Sequence, residues 1–178
     1  MKSILTCTAL VTVAFVAGCA AQRPPASEFR SDARQPIRNR EANVVLPMLV
    51  GQYEITDSRR NRRQIAAADL SIEGGVVTLK LSTKEGQLVT TLQANECSGD
   101  LANKYTQGIY LACFGPELYG VRRHSFTIST VTAGYVHKSG SLIPMYDPMP
   151  VTGGYLIDFL PGDARGLTYP LAARRAMP

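Results

Sequence analysis

His124 and His137 are the only two imidazoles in the 178 residues, so general-base chemistry near neutral pH would have to pass through one of them. Brought together with a serine and Asp158, either would complete a hydrolase triad. No segment presents the nucleophile, however. The chain lacks Gly-x-Ser-x-Gly, Ser-x-x-Lys, Cys-x-x-Cys and His-Glu-x-x-His, and no Gly-x-Gly triplet can cradle a nucleotide phosphate. The paired carboxylates of a glycosidase have no candidates either, because the acids stand singly in turns and on polar strand faces. The residues therefore point to a protein that is not an enzyme. Joined with Met145 and Met149, the histidines would resemble a soft copper donor set. Thioethers four apart in a proline-rich loop more simply fill apolar gaps, so no metal and no cofactor is assigned.

Two surface features remain. Arg59, Arg60, Arg62 and Arg63 put four guanidinium groups at one loop between expected strands, able to grip phosphates bidentately. No aromatic residues interleave to stack bases, so nucleic acid is not the expected partner; an anionic lipid, an envelope polymer or an acidic protein patch fits better. The second is Ile143-Pro-Met-Tyr-Asp-Pro-Met-Pro150. Its three prolines make a stiff loop that offers Met145, Tyr146 and Met149 as apolar binding groups.

The N-terminus carries an address. Lys2 precedes an apolar run from Ile4 to Val16, the length of a secretory core and too short to span a bilayer. Val16-Ala17-Gly18-Cys19 follows, and this order resembles the lipobox of bacterial lipoproteins, cut before the cysteine by signal peptidase II. The resemblance implies a signal peptide over 1–18, acyl chains on Cys19 and a mature protein anchored in a membrane. Ala20-Ala21-Gln22, with no Asp after the Cys, implies the outer membrane under the Gram-negative sorting pattern. Two acyl chains hold a protein stably where one gives only marginal binding.

Discarding Cys7 with the signal and committing Cys19 to lipid leaves Cys97 and Cys113. In an oxidising compartment these are expected to pair, closing a loop of about 15 residues worth roughly 3 kcal/mol on the chain-entropy model.

All of these groups depend on the elements that position them. Residues 19–47 hold four prolines (24, 25, 36, 47) and five arginines (23, 30, 34, 38, 40), which predicts a flexible linker. From 48 to 160 period-two alternation predicts strands. Ala68, Leu70 and Ile72 face one way, Gly74-Gly75 turns the chain, and Val77, Leu79 and Leu81 return. A second turn at Lys84-Glu85-Gly86 leads to Leu88, Thr90 and Leu92. Further strands are expected at 49–56, 107–114, 123–132, 133–138 and 153–159, with a loop from Ser98 to Tyr105 and a C-terminal tail over 161–178. No sustained helical face is visible. The hydrophobic fraction of 45% and charged fraction of 19% exclude wholesale disorder, and the formal charge is +5. The expected fold is all-β, a small antiparallel barrel or sandwich of about seven or eight strands.

Leu49-Val-Gly-Gln-Tyr-Glu-Ile55 resembles the opening strand of lipocalin-like barrels, with Tyr53 in place of their Trp. That likeness implies a carrier of a small apolar ligand. Ser98-Gly99 followed by Tyr105 resembles a loop of membrane-bound lysozyme inhibitors, although the spacing here is longer and no residue role transfers. The leading expectation is a lipid-anchored, periplasm-facing or surface-exposed envelope protein with a binding, assembly or accessory role. The alternatives are a lipocalin-like carrier and, third, an envelope hydrolase. A filled core would favour the first and a wide apolar cavity the second.

Overall fold

Alternation of apolar and polar residues becomes sheet along most of the chain. The computed structural model describes residues 37–59, 64–118, 121–122, 124–139, 146–161 and 168–177. Cys19, Arg60, Arg62, Arg63 and Met145 lie outside these residues. The first elements are β1 (Ile37–Arg38), α1 (Arg40–Leu49), β2 (Gly51–Ser58), β3 (Ile65–Glu73), β4 (Val76–Thr83) and β5 (Leu88–Ala94). Then come β6 (Glu96–Asn103), β7 (Gly108–Phe114), β8 (Glu117–Leu118), β9 (Val121–Arg122) and β10 (Ser125–Thr130). The last are β11 (Val136–His137), β12 (Met149–Pro150), β13 (Gly154–Leu160) and β14 (Tyr169–Arg175).

The main sheet runs in the order β1-β6-β7-β10-β13-β14-β2-β3-β4-β5. All pairs are antiparallel except the short parallel contact of β1 with β6. The nine longer strands curl into a nearly closed small barrel. The meander from β3 to β5 stands where the alternation places it. Gly74 and Gly75 take φ of +58° and +85°, the left-handed pair that a tight hairpin requires.

Curling brings β5, at one edge of the sheet, back against β7 and β10. The imidazole of His124, just before β10, hydrogen-bonds through Nε2 to the Gln93 carbonyl on β5, 2.6 Å away. Its ring lies against Gly115, where a Cβ would come within 2.4 Å of that nitrogen. Cys97 and Cys113 form a disulfide between directly opposed residues of β6 and β7, with Cα atoms 4.2 Å apart. That separation suits a close, non-hydrogen-bonded antiparallel pair.

The interior is packed with side chains. Leu46, Tyr53, Leu70, Leu79, Leu81, Leu111, Phe126, Ile128, Ile157 and Leu171 are all essentially inaccessible to solvent. Tyr53 donates its hydroxyl to the Leu49 carbonyl and meets Tyr155 edge-on, and burial pushes its phenol up to about 12.

Three boundaries differ from those read in the sequence. Residues 37–47 are not linker: they hold β1 and most of α1, whose stripe Ala42, Val45, Leu46 and Leu49 seals the core. Ser98 to Asn103 belong to β6 and not to a loop. Most decisively, 161–178 is not a tail, since β14 sits inside the sheet between β13 and β2. It reads poorly because both its faces are covered, so no alternation shows. Met149–Pro150, expected to stay out of any sheet, pair with Val136–His137.

Candidate functional site

The described members of the two surface features, Arg59 and the loop residues from Tyr146 to Pro150, meet on one side of the barrel. Residues 131–153 connect β10 to β13, and their described parts (131–139 and 146–153) fold back on the outer face of the sheet. On β13 and β14 the core takes Ile157 and Leu171, so their neighbours Leu156 and Ala172 must point outward. Met149 and Val151 cover those two, with Val131 and Tyr135 alongside, as a second apolar cluster. The connection is therefore a flap with a small core of its own.

Arg59 fastens this flap. Its Nε donates to the Asp147 carbonyl and its Nη2 to the Pro148 carbonyl, each at 3.3 Å. Nη1 pairs with Asp57 at 2.7 Å, and the Arg59 backbone N–H reaches the Pro170 carbonyl. The hairpin after β2, the flap and the start of β14 thus form one corner. Arg59 is committed to holding it, so it is not the free phosphate-gripping group that the run of arginines suggests.

The flap loop divides in the same way. Met149 is fully buried against Leu156 and Ala172, which removes it from any binding surface and leaves it as gap-filling. Tyr146 is half-buried; its ring stacks on His137 with centroids 5.9 Å apart, and its hydroxyl meets His137 Nε2 at 2.9 Å. Burial lowers the His137 pKa, favouring the neutral ring. The structure thus gives His124 and His137 separate partners, the one across the barrel seam and the other on the flap.

Between the turn Thr132–Tyr135 and residues 150–154 lies an open groove of about 520 Å³. Its walls are backbone and small side chains, with Tyr135 and Val151 as the larger apolar groups. Such a groove suits an extended chain better than a compact apolar ligand, which prefers an enclosed apolar pocket.

Asp158 lies on the outward face of β13, two residues beyond Leu156. Its register partners are Thr127 on β10 and Pro170 on β14, and its charge is felt by Tyr110 on β7. Burial is the dominant influence and lifts its carboxyl to about 6, against the pull of Thr168 and two backbone N–H groups. Its Oδ1 is buried without a hydrogen-bond partner. Burial also raises the Tyr110 phenol, with the negative charge of Asp158 adding to the effect.

Residue types alone did not flag Asn39 or Gly99, although both signals were present. Asn39 caps α1: its Oδ1 accepts from the N–H of Ala42 at 2.7 Å and of Gly99 at 2.9 Å, while Nδ2 donates to Ser98 and to the Gly99 carbonyl. A Cβ on Gly99 would lie 2.6 Å from Val45 and 2.7 Å from Ala42, so only glycine lets the helix seat on β6. Ser98-Gly99 is thus a helix-docking site.

Among the described residues no three His, Cys, Asp or Glu side chains gather as a metal site, and no helix is long and apolar enough to cross a membrane. No protein-family model, curated protein or solved structure matches the chain.

Proposed function

We propose that this chain is a lipid-anchored cell-envelope protein, tethered by acyl chains on Cys19, whose barrel works by binding a protein or an anionic envelope polymer in an assembly or accessory role. The observation that carries the anchor is the order of Lys2, the apolar run from Ile4 to Val16 and Val16-Ala17-Gly18-Cys19. The cross-strand disulfide supports export, because such bonds persist in oxidising compartments. It also engages both cysteines beyond position 19, leaving Cys19 for lipid.

The choice of binding over carriage rests on the barrel interior. Tyr53, Phe126 and the surrounding leucines occupy the space in which a lipocalin-like carrier would hold its ligand. The face best suited to a partner is the flap side, with the groove between Thr132 and Gly154; Arg60, Arg62 and Arg63, which follow Arg59 in the sequence, are the basic residues proposed to meet an anionic partner. The placement that follows is the outer membrane, with the barrel facing water.

The test has two arms. In a bacterial host supplied with labelled fatty acid, the native chain should take up label and Cys19→Ala should not; equal labelling of both would refute the anchor. Crosslinking in intact cells should then trap an envelope protein or polymer on the flap side. Recovery of a small apolar molecule from inside the barrel would instead establish the carrier.

A further inference from the structure

α1 packs one stripe into the barrel and leaves the opposite side bare. Arg40, Val44 and Met48 fall at i, i+4 and i+8, one row along the helix, and all three are exposed. Val44 is 50% and Met48 48% accessible, unusual for apolar residues on a helix whose other face is a core element. The row continues past the end of the helix. Arg175 donates its guanidinium to the carbonyls of Met48 and Val50, and the Ala176 N–H bonds the Gln52 carbonyl. These bonds fix the end of β14 to the chain that leaves α1, and Met177, 94% accessible, is the next residue after Ala176. The exposed apolar side chains of Val44 and Met48 are therefore flanked by two cations, Arg40 at the start of the helix and Arg175 at its end. Arg174 is not among them, because it is paired with Glu54.

Where this surface sits relative to the chain decides what covers it. Cys19 lies 18 residues before Ile37, and α1 begins three residues after that. At full stretch, 18 residues reach no more than about 65 Å. Of the longer elements, α1 is thus the nearest to position 19 along the chain. The segment from Cys19 to Glu41 carries five arginines against Glu28, Asp32 and Glu41, so the approach is net positive. Apolar side chains flanked by arginine are what an interfacial helix presents to headgroups and the upper acyl region.

We infer that the outer row of α1 lies against the anionic surface of the bilayer that holds the chain. The inference rests on the lipid anchor proposed above. It adds an orientation: the α1 side faces lipid, while the flap, held by Arg59 at the start of β14, is left for a partner.

The experiment uses the mature acylated protein in vesicles of phosphatidylcholine, alone or mixed with phosphatidylglycerol. Single cysteines replace Val44, Met48 and, as a reference on β5, Leu88, each carrying a nitroxide. Thermal melts identify which labelled variants are folded, and the two helix positions back each other up. Labels at 44 and 48 should collide several-fold more with lipid-dissolved oxygen than with a water-soluble nickel chelate, and the preference should grow with phosphatidylglycerol. The label at Leu88 should show the reverse. Vesicle-bound protein whose labels at 44 and 48 behave like that at 88 would overturn the inference and leave the anchor standing. Dipolar broadening between labels without lipid contact would show that a second copy covers the row, and would overturn it too. Processed protein recovered from the bacterial host without acyl chains on Cys19, before any vesicle is added, would overturn the anchor, and the orientation with it.

Discussion

Burial moves the Asp158 carboxyl well out of the ordinary carboxylate range. Its ordinary value of 3.8 rises to about 6 because burial penalises the charged form and Oδ1 has nothing to accept from. The folded protein therefore keeps a proton that the unfolded chain gives up at lower pH. Stability from that proton is complete below about 3.8 and is lost as pH rises through about 6. A difference of two pH units corresponds to about 3 kcal/mol at most. His137 has the opposite sign: burial holds it neutral, so protonating it costs stability as pH falls. Subtracting one curve from another separates the two. Asp158→Asn should gain about 1–2 kcal/mol over the native protein at pH 8 and little at pH 4, read from urea unfolding at both values. An equal effect at the two pH values would show that burial does not govern this carboxyl.

At the scale of elements, α1 shows what the sequence made legible and what it hid. Its buried stripe of Ala42, Val45, Leu46 and Leu49 keeps helical spacing, and Asn39 is a standard cap, so the signal was there. Pro47 inside the last turn, the pair Val44-Val45 and a length of only ten residues argue against a helix taken alone. Tertiary contacts override those local preferences: Gly99 makes room for the helix, Asn39 ties its start to β6, and Arg175 satisfies carbonyls at its end. β6 was hidden for a related reason, since Ser98, Gly99 and Asp100 are poor strand formers held in place by the disulfide and the docked helix. The meander was legible because its alternation needs no distant partner to be seen. The candidate site was only partly so. Arg59 and the flap loop were found as separate pieces, but that Arg59 holds the flap depends on contacts 88 and 89 residues away in the chain. The seating of α1 can be tested directly. Asn39→Ala should lower stability by about 1–2 kcal/mol, while Asn39→Asp, which keeps the acceptor for Ala42 and Gly99, should lose less. Thermal melts that leave the two variants indistinguishable would show that the cap does not hold the helix.

For the molecule as a whole, the decisive strand is the last one. β2 forms early in the chain, yet one of its two neighbours is β14, with Ser58 opposite Leu171. The barrel wall between β2 and β13 therefore cannot exist until residues 169–175 are available to pair with both. β14 also serves two apolar clusters at once, Leu171 and Ala173 on the inside and Ala172 beneath the flap. Its removal would open the main core, take Ala172 from beneath the flap and leave β2 and β13 as long unpaired edges. A chain ending at residue 167 should accordingly show no cooperative melt, bind a hydrophobic dye strongly and be cut by protease within the barrel. A synthetic peptide spanning 168–178 should restore part of the transition by pairing with both edges. If the shortened chain instead melts cooperatively within a few degrees of the full one, the seven residues of β14 do not close the wall, and the barrel must be held by the pairings on either side of the gap.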